Sequence, residues 1–269
     1  MKYVHIKKCA ICGKVKKLTF EHIPPKKALN KNGSRVITGD EFINLVSSEE
    51  RMPWDTSGLH YVNQQRGAGL FSLCADCNNL TGVLYGDEYC KVANAFAFYM
   101  QENENEINKS IGLSLNVKDM YPLRFIKQVL SMFCSTTPGL IERFPIIKEL
   151  LLNKDMNAND LEFKISVFLM KNKRFLYTGQ NILFLKSGAN RVISSMDLYP
   201  FGFIFDYDKN YKDESLCDIT SFLSFKYDDC KTMSMVLPIF ERNNPFPCDF
   251  RTKSETIDII NKNKINKKK

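Results

Sequence analysis

The sequence predicts an α+β fold in which helices precede an antiparallel sheet. Two stretches with helical periodicity, at 87–105 and from about residue 119, come before a series of short apolar runs separated by turn residues. The 269 residues are 44% hydrophobic and 25% charged, which is the range of globular proteins with a buried core. We divide the chain into residues 1–110 and residues 111–269, the second part ending in a basic tail.

The first elements are predicted to be two short strands within residues 1–30, joined by a turn at Gly13. A Pro-Pro pair ends the second strand, because proline has no N–H to donate to a sheet. A long, weakly periodic connection follows over 31–72. The sequence then predicts a short helix over 74–86 that breaks near Gly86.

Three further helices are predicted before the sheet. The helix at 87–105 has one apolar face, formed by Tyr89, Val92, Ala93, Phe96 and Tyr99. The next begins at Pro122, with Asp119 as the candidate N-cap, and the third covers Pro145–Asn153.

The second half is predicted to form the sheet. Its apolar runs are Phe163–Met170, Phe175–Thr178, Ile182–Leu185, Arg191–Met196, Phe201–Tyr207, Leu216–Phe225 and Thr232–Phe240. Gly179-Gln180 and residues 187–190 are predicted to be hairpin turns between them. The aromatic residues of this half recur at strand spacing, so we expect core side chains rather than platforms for stacked bases.

Positive charge is concentrated at the two ends of the chain. Residues 1–30 carry a net charge of +7 and residues 250–269 carry +5. Because the whole chain has a net charge of +8, residues 31–249 carry −4. We expect the last part of the C-terminal cluster, residues 261–269, to be a frayed, solvated tail, since it is low in complexity. The N-terminal cluster indicates an anionic partner such as nucleic acid.

The sequence predicts no membrane-spanning segment. No apolar run approaches the roughly 18–20 residues that a spanning helix needs, and the N-terminus has no apolar signal region. We therefore expect a cytoplasmic protein in which disulfides are rare and paired cysteines bind metal.

Two Cys-x-x-Cys pairs predict a zinc site: Cys9 with Cys12, and Cys74 with Cys77. Each pair forms a tight knuckle with both sulfurs toward one ion, and four thiolates complete a tetrahedral zinc with no open position. Such a zinc is structural and clamps distant segments of the chain. The alternative is four ordinary buried thiols.

A second group of residues lies between and after the cysteine pairs. Glu21 and His22 are adjacent, and Asn78 follows Cys77 directly. Oxygen donors suit a hard cation, and a neutral imidazole can take a proton from water. In a regular strand Glu21 and His22 point to opposite faces, so a bend or bulge is needed for both to serve one site.

The order Cys-x-x-Cys, Glu-His-Ile-Pro-Pro and Leu-Cys-x-x-Cys-Asn resembles the HNH endonucleases that carry a four-cysteine zinc. The resemblance covers roughly residues 7–90. It implies a ββα unit that binds a catalytic Mg²⁺, Mn²⁺ or another divalent cation, with His22 as general base and Glu21 and Asn78 as metal ligands. The family's middle Asn corresponds to Gly69 here, and we assign its bracing role to the backbone or to Asn63.

The resemblance implies an endonuclease that hydrolyses phosphodiester bonds, with DNA favoured over RNA, in a bacterial or phage defence or mobile-element context. Basic residues near the site are expected to contact phosphates, namely Lys14, Lys16, Lys17, Lys26, Lys27 and Arg66. The second half is a candidate for homo-oligomerisation or for binding a partner protein. The rival hypothesis is a non-catalytic zinc-knuckle module that binds nucleic acid or protein.

Overall fold

The computed structural model describes residues 5–46, 52–184, 188, 190–244 and 246–266. These residues form a mixed α+β structure with three sheets, as the sequence predicts. Within them, no helix combines the length and the apolar character needed to cross a membrane.

The N-terminal sheet has the strand order β1-β2-β5, with antiparallel neighbours. The elements here are β1 (Ile6–Lys8), β2 (Val15–His22), β3 (Ser34–Val36), α1 (Gly39–Val46), β4 (Val62–Gln64), β5 (Gly69–Cys74) and α2 (Ala75–Thr81). The two predicted strands are confirmed, and Gly13 has the positive φ of +73° that the turn requires. The predicted connection over 31–72 instead contains α1 and a two-stranded β3–β4 sheet, which are too short to give a periodic signal.

The predicted helix break near Gly86 is wrong. The chain continues from α2 through a π-helical turn (Gly82–Gly86) into α3 (Asp87–Glu102), and α4 (Glu104–Lys109) follows. Gly86 itself has φ −62° and ψ −39°, a right-handed helical conformation. Glycine costs helix stability but does not forbid the helix, and tertiary packing compensates for that cost here.

The centre of the molecule is α5 (Pro122–Thr136), in which almost every residue is buried. It follows β6 (Gly112–Met120) and precedes the short helices α6 (Leu140–Arg143) and α7 (Pro145–Leu152). It packs against α3, α7, β5 and the π-helical turn. One cluster of buried apolar side chains includes residues from 1–110 and from 111–269.

The large sheet contains β6 and six further strands: β7 (Lys164–Met170), β8 (Phe175–Phe184), β9 (Asn190–Leu198), β10 (Phe201–Asp206), β11 (Cys217–Asp218) and β12 (Lys231–Phe240). The strand order is β6-β12-β7-β10-β9-β8, and β11 pairs with β7 beside that path. All neighbours are antiparallel except β12 and β7, which are parallel.

Two predictions within this sheet are wrong. Gly179-Gln180 is not a hairpin turn, because β8 continues through it with a shift of register between Thr178 and Asn181 against β9. The predicted strand Leu216–Phe225 is reduced to β11, followed by a 3-10 turn. The Asp218 carboxylate accepts hydrogen bonds from the backbone N–H and hydroxyl of Thr220, which favours the turn over an extended strand.

The aromatic residues of the second half are mainly core, as predicted. Every residue of β10 is buried. The Phe205 ring stacks on Phe163 at a centroid distance of 4.7 Å, and Phe125 of α5 packs edge-on against Phe201 at 5.9 Å. The contact of Phe125 with Phe201 joins α5 to the large sheet.

The prediction of a frayed C-terminal tail is wrong for the residues up to Asn266, because they belong to a helix, α8 (Lys253–Asn266). Thr252 and Glu255 make a capping box: the Glu255 backbone N–H donates to Thr252 Oγ1, and the Thr252 backbone N–H donates to Glu255 Oε2. The signal Thr-x-x-Glu was therefore present in the sequence. Residues 267–269 lie outside the described residues.

We expect Phe125→Ala to lower the free energy of unfolding by about 3–5 kcal/mol, because it empties a fully buried site between α5 and the sheet. Phe98→Ala is the matched control, since Phe98 of α3 is 66% exposed and should change that energy by less than about 0.5 kcal/mol. Urea denaturation measures both. Equal losses for the two variants would contradict the central position of α5.

Candidate metal centre and Glu-His site

The four predicted cysteines converge on one point. The first knuckle is a turn in which the Cys9 backbone N–H donates to the Lys14 carbonyl and the Gly13 N–H to the Cys9 carbonyl. In the second knuckle, Cys74 is the last residue of β5 and Cys77 lies in the first turn of α2. All four sulfurs lie within 4.8 Å of one another.

This geometry fits a tetrahedral metal ion such as zinc. Zn–S bonds of about 2.3 Å separate the sulfurs of a tetrahedral site by about 3.8 Å, and the Sγ atoms of Cys12 and Cys74 are 4.0 Å apart. The Cys74 backbone N–H donates to the Cys9 sulfur at 3.3 Å. The hydrogen bond between Cys77 and Cys9 lowers the pKa of the Cys9 thiol and raises the pKa of the Cys77 thiol.

Glu21 lies in the interior, on the side of β2 that faces α5. The hydroxyls of Ser72 and Ser135 both donate to its Oε2 atom, and the residue is 4% exposed. Burial raises the pKa of the Glu21 carboxyl to about 7, and the two serine hydrogen bonds act in the opposite direction. Sequence reasoning did not single out either serine, because Ser72 and Ser135 lie 51 and 114 residues after Glu21 in the chain.

His22 lies on the other face of the same strand. Its ring packs edge-on against Phe20 with the centroids 5.1 Å apart, as expected for side chains two residues apart in a strand. Partial burial lowers the pKa of His22, a hydrogen bond to the Arg66 backbone raises it, and the charges of Lys26 and Arg66 lower it again. The imidazole is therefore neutral near pH 7 and lies in a cationic environment.

Asn78 lies on α2 and binds β2. Its Nδ2 atom donates to Thr19 Oγ1 at 3.0 Å and to the Phe20 carbonyl at 3.3 Å. The bulge that the Glu-His pair was expected to need does not fall on that pair. The register between β2 and β5 shifts between Thr19 and Phe20, where the extra residue is Ser72 of β5. Glu21 and His22 are regularly paired with Leu70 and Gly69, so they lie on opposite faces of β2.

A buried asparagine that sequence analysis did not single out braces the loops around this site. The Asn30 amide donates to the carbonyls of Pro24 and Ala68, and its oxygen accepts from the Ala68 N–H, at 2.6, 2.8 and 2.7 Å. The neighbouring Gly67 has φ +85°, and a Cβ there would lie 2.5 Å from Asn30 Oδ1. Sequence analysis assigned the bracing role to the backbone or to Asn63, and Asn63 is exposed on β4.

Gly69 is required by the pairing of β2 with β5. A Cβ at this position would lie 2.0 Å from the Glu21 carbonyl oxygen and 2.8 Å from the Phe20 ring. Asparagine therefore does not fit this backbone. The departure from the HNH pattern follows from close strand contact, and Asn30 supplies a brace from another position.

The predicted phosphate contacts differ in their surroundings. Lys16 forms an ion pair with Asp76 at 2.6 Å, and Lys27 forms one with Asp87 at 2.8 Å. These pairs join β2 and the following loop to the first turns of α2 and α3. The remaining predicted contacts are exposed, namely Lys14, Lys17, Lys26 and Arg66.

We expect the purified protein to contain one zinc ion per chain, and Cys77→Ala to lose it because a tetrahedral thiolate site needs all four ligands. Elemental analysis and thermal unfolding measure the metal content and the stability that it contributes. Cys230→Ser is the control, since Cys230 is exposed and lies outside the cluster. Unchanged zinc content in Cys77→Ala would contradict the site.

Asn30→Ala should lower the free energy of unfolding by at least about 2 kcal/mol, because each buried polar group left without a partner costs about 1–3 kcal/mol. Asn63→Ala, on the exposed side of β4, should change it by less than about 0.5 kcal/mol. Urea denaturation compares the two. If Asn63→Ala costs more, the brace has been assigned to the wrong asparagine.

Comparison of the chain with protein-family models, with curated proteins and with solved structures found no match. The resemblance to the HNH endonucleases therefore depends on the motif residues alone. The geometry of those residues is the basis for any functional proposal.

Proposed function

We propose that this chain is a metal-dependent endonuclease of the HNH type that hydrolyses phosphodiester bonds, preferentially in DNA. The observation that carries the proposal is the position of His22, at the end of β2 in a unit clamped by the cysteine cluster. This imidazole is partly buried and its pKa is lowered, and Lys26 and Arg66 lie close enough to affect it. A neutral base beside two cations suits attack on an anionic phosphate.

The donor set for a catalytic cation is Glu21 with Asn78. Both serine hydroxyls that contact Glu21 use Oε2, so the proposal assigns the cation to Oε1. The contacts to Thr19 and Phe20 use Asn78 Nδ2, so Oδ1 is its candidate ligand atom. Carboxylate and carboxamide oxygens are ligands for Mg²⁺ and Mn²⁺.

In this mechanism His22 accepts a proton from the attacking water, and its contact with the Arg66 backbone orients the ring. Lys26 and Arg66 hold the phosphate, and the exposed lysines Lys14 and Lys17 extend the contact along the strand. When bound, the divalent cation supplies stabilisation of the negative charge that develops on the phosphate and the leaving oxygen. The four-cysteine metal is structural, since four sulfurs leave no open position.

A specific observation favours the rival proposal, a zinc-knuckle module that binds nucleic acid or protein without cleaving it. The Glu21 carboxylate is buried among serine hydroxyls and lies on the opposite face of β2 from the His22 ring. For catalysis, the end of β2 must rearrange so that both side chains approach one phosphate. The module requires no such change.

Cleavage of plasmid DNA with added Mg²⁺ or Mn²⁺ decides between the two proposals. We expect His22→Ala to reduce the rate by about 10²–10⁴-fold, the usual contribution of a general base. His60→Ala is the matched control, because His60 is exposed and should leave the rate unchanged. Equal rates for wild type and His22→Ala would remove His22 from the mechanism, and the absence of cleavage of DNA and RNA would favour the binding module.

The pH dependence gives an independent test of His22. A general base acts in its neutral form, and the pKa of His22 lies below its ordinary value of 6.5 because of burial. Activity should therefore be retained at pH 6.5 and fall only when the pH drops through the lowered pKa. The Glu21 carboxyl, with a pKa of about 7, must also be ionised to bind the cation, so the profile is measured at saturating Mg²⁺, which holds it ionised. Under that condition a kcat/KM profile measures the acid limb of His22, and a limb above pH 6.5 would contradict the assignment.

A further inference from the structure

A cleft of about 600 Å³ lies between the N-terminal loops and the large sheet. On one side it is lined by Leu29, Arg35 and Ala68, and on the other by residues at and before the start of β8. The Ala68 carbonyl accepts a hydrogen bond from the backbone N–H of Ile23, the residue after His22. One residue of the lining is therefore hydrogen-bonded to the chain directly after the proposed catalytic histidine.

All the ionisable groups of the lining that are charged at neutral pH are cations, namely Arg35, Lys173 and Arg174. Arg35 and Lys173 are exposed. The Arg35 guanidinium lies over the Tyr61 ring at 4.6 Å, an arrangement that leaves its N–H edge available to an anion. Arg174 is held by Asp197 at 2.7 Å and by two backbone carbonyls, so it serves as a fixed part of the wall.

Aromatic side chains complete the lining. Phe175 and Tyr177 are two residues apart on β8 and belong to the same face of the strand. Both pack against the core while remaining half-buried, and Tyr199 also lines the cleft. These rings differ from the fully buried aromatic residues of β10, because part of their surface is accessible from the cleft.

We propose that the cleft binds an unpaired segment of a nucleic acid strand, with bases against Phe175 and Tyr177 and phosphates on Arg35 and Lys173. The proposal deepens the proposed nuclease function and rests on it for the link to cleavage. It assigns the preferred substrate class as single-stranded nucleic acid, or duplex with an unpaired segment, near the scissile bond.

The combination of groups favours an unpaired strand over a regular duplex. Bases in a duplex are stacked on each other and offer their faces to no protein ring, whereas unpaired bases stack on aromatic side chains. The volume is also typical of a pocket that encloses a small ligand or a few of its groups, rather than of an open groove. Arg35 and Lys173 give a positive surface where the backbone of such a strand enters.

Fluorescence anisotropy of labelled oligonucleotides of about 12 nucleotides tests the proposal, a length within the usual site size for single strands. The probes are single-stranded DNA, single-stranded RNA and a DNA duplex, and the protein carries His22→Ala with no added Mg²⁺ or Mn²⁺, so that binding is measured without cleavage. The test variant is Arg35→Glu with Lys173→Glu. The control is Lys118→Glu with Lys148→Glu, two exposed lysines outside the lining that give the same change in net charge.

We expect the cleft variant to weaken single-strand binding by at least tenfold, and the control by less than about threefold. Tyr177→Leu, which keeps the packing and removes the aromatic face, should weaken it by about five- to a hundredfold. Arg35→Gln with Lys173→Gln should show a smaller loss than the charge reversal. The comparison of DNA with RNA shows which strand the cleft accepts.

Equal weakening by the cleft and control variants, or tighter binding of duplex than of either single strand, would overturn the proposal. Cleavage is measured separately, in chains with His22 intact. If the wild type cleaves DNA and the cleft variant binds and cleaves like it, the binding site in the cleft is contradicted and the nuclease function is supported. If no chain cleaves nucleic acid but only the cleft variants lose binding, the nuclease function is contradicted and the binding site in the cleft is supported.

Discussion

The burial of α5 on nearly all sides is the constraint on which the rest of the structure depends. A helix in this position must supply apolar side chains in several directions, and most of the polar groups that it buries need a partner. Gln128 Oε1 and Ser131 Oγ are exceptions in α5. Lys127 donates to the carbonyls of Asn153 and Lys154 after α7, and Ser135 donates to Glu21. The packing of α5 therefore fixes both the segment after α7 and the conformation of Glu21 in β2.

This constraint explains why Glu21 is open to two interpretations. A carboxylate between serine hydroxyls in the interior is a structural element that ties the N-terminal sheet to α5. The same carboxylate directly precedes His22, which is the order that the HNH resemblance implies for a metal ligand. Whether Glu21 serves the core or a cation depends on how much the last residues of β2 can move.

The sequence predicted features that depend on local spacing and missed those that depend on contacts between distant residues. The cysteine cluster was predictable because each Cys-x-x-Cys pair is a local knuckle, and its four sulfurs do converge. The α+β class was predictable because α3, α5 and most strands have clear periodicity. Asn30 was not, because its partners Pro24 and Ala68 meet it only after the loops fold.

The same distinction applies to the glycines and to the ends of elements. The HNH pattern has asparagine at the position of Gly69, and a Cβ there would meet the Glu21 carbonyl of the paired strand β2. A single sequence does not record such a contact between strands. Gly86 and Gly179 suggested a break and a turn, but packing and strand pairing keep the chain in a helix and a strand there. The capping box of α8 was a local signal that lies before the low-complexity residues 261–269, and sequence analysis did not single it out.

The irregular register of β8 also affects how the protein behaves in concentrated solution. Among the described strands of the large sheet, β8 is the last, and it exposes Ile182 and Phe184. A regular edge strand with such side chains can act as a template for the addition of strands from other chains. The shift between Thr178 and Asn181 interrupts the row of edge hydrogen-bonding groups and bends the strand, which discourages aggregation.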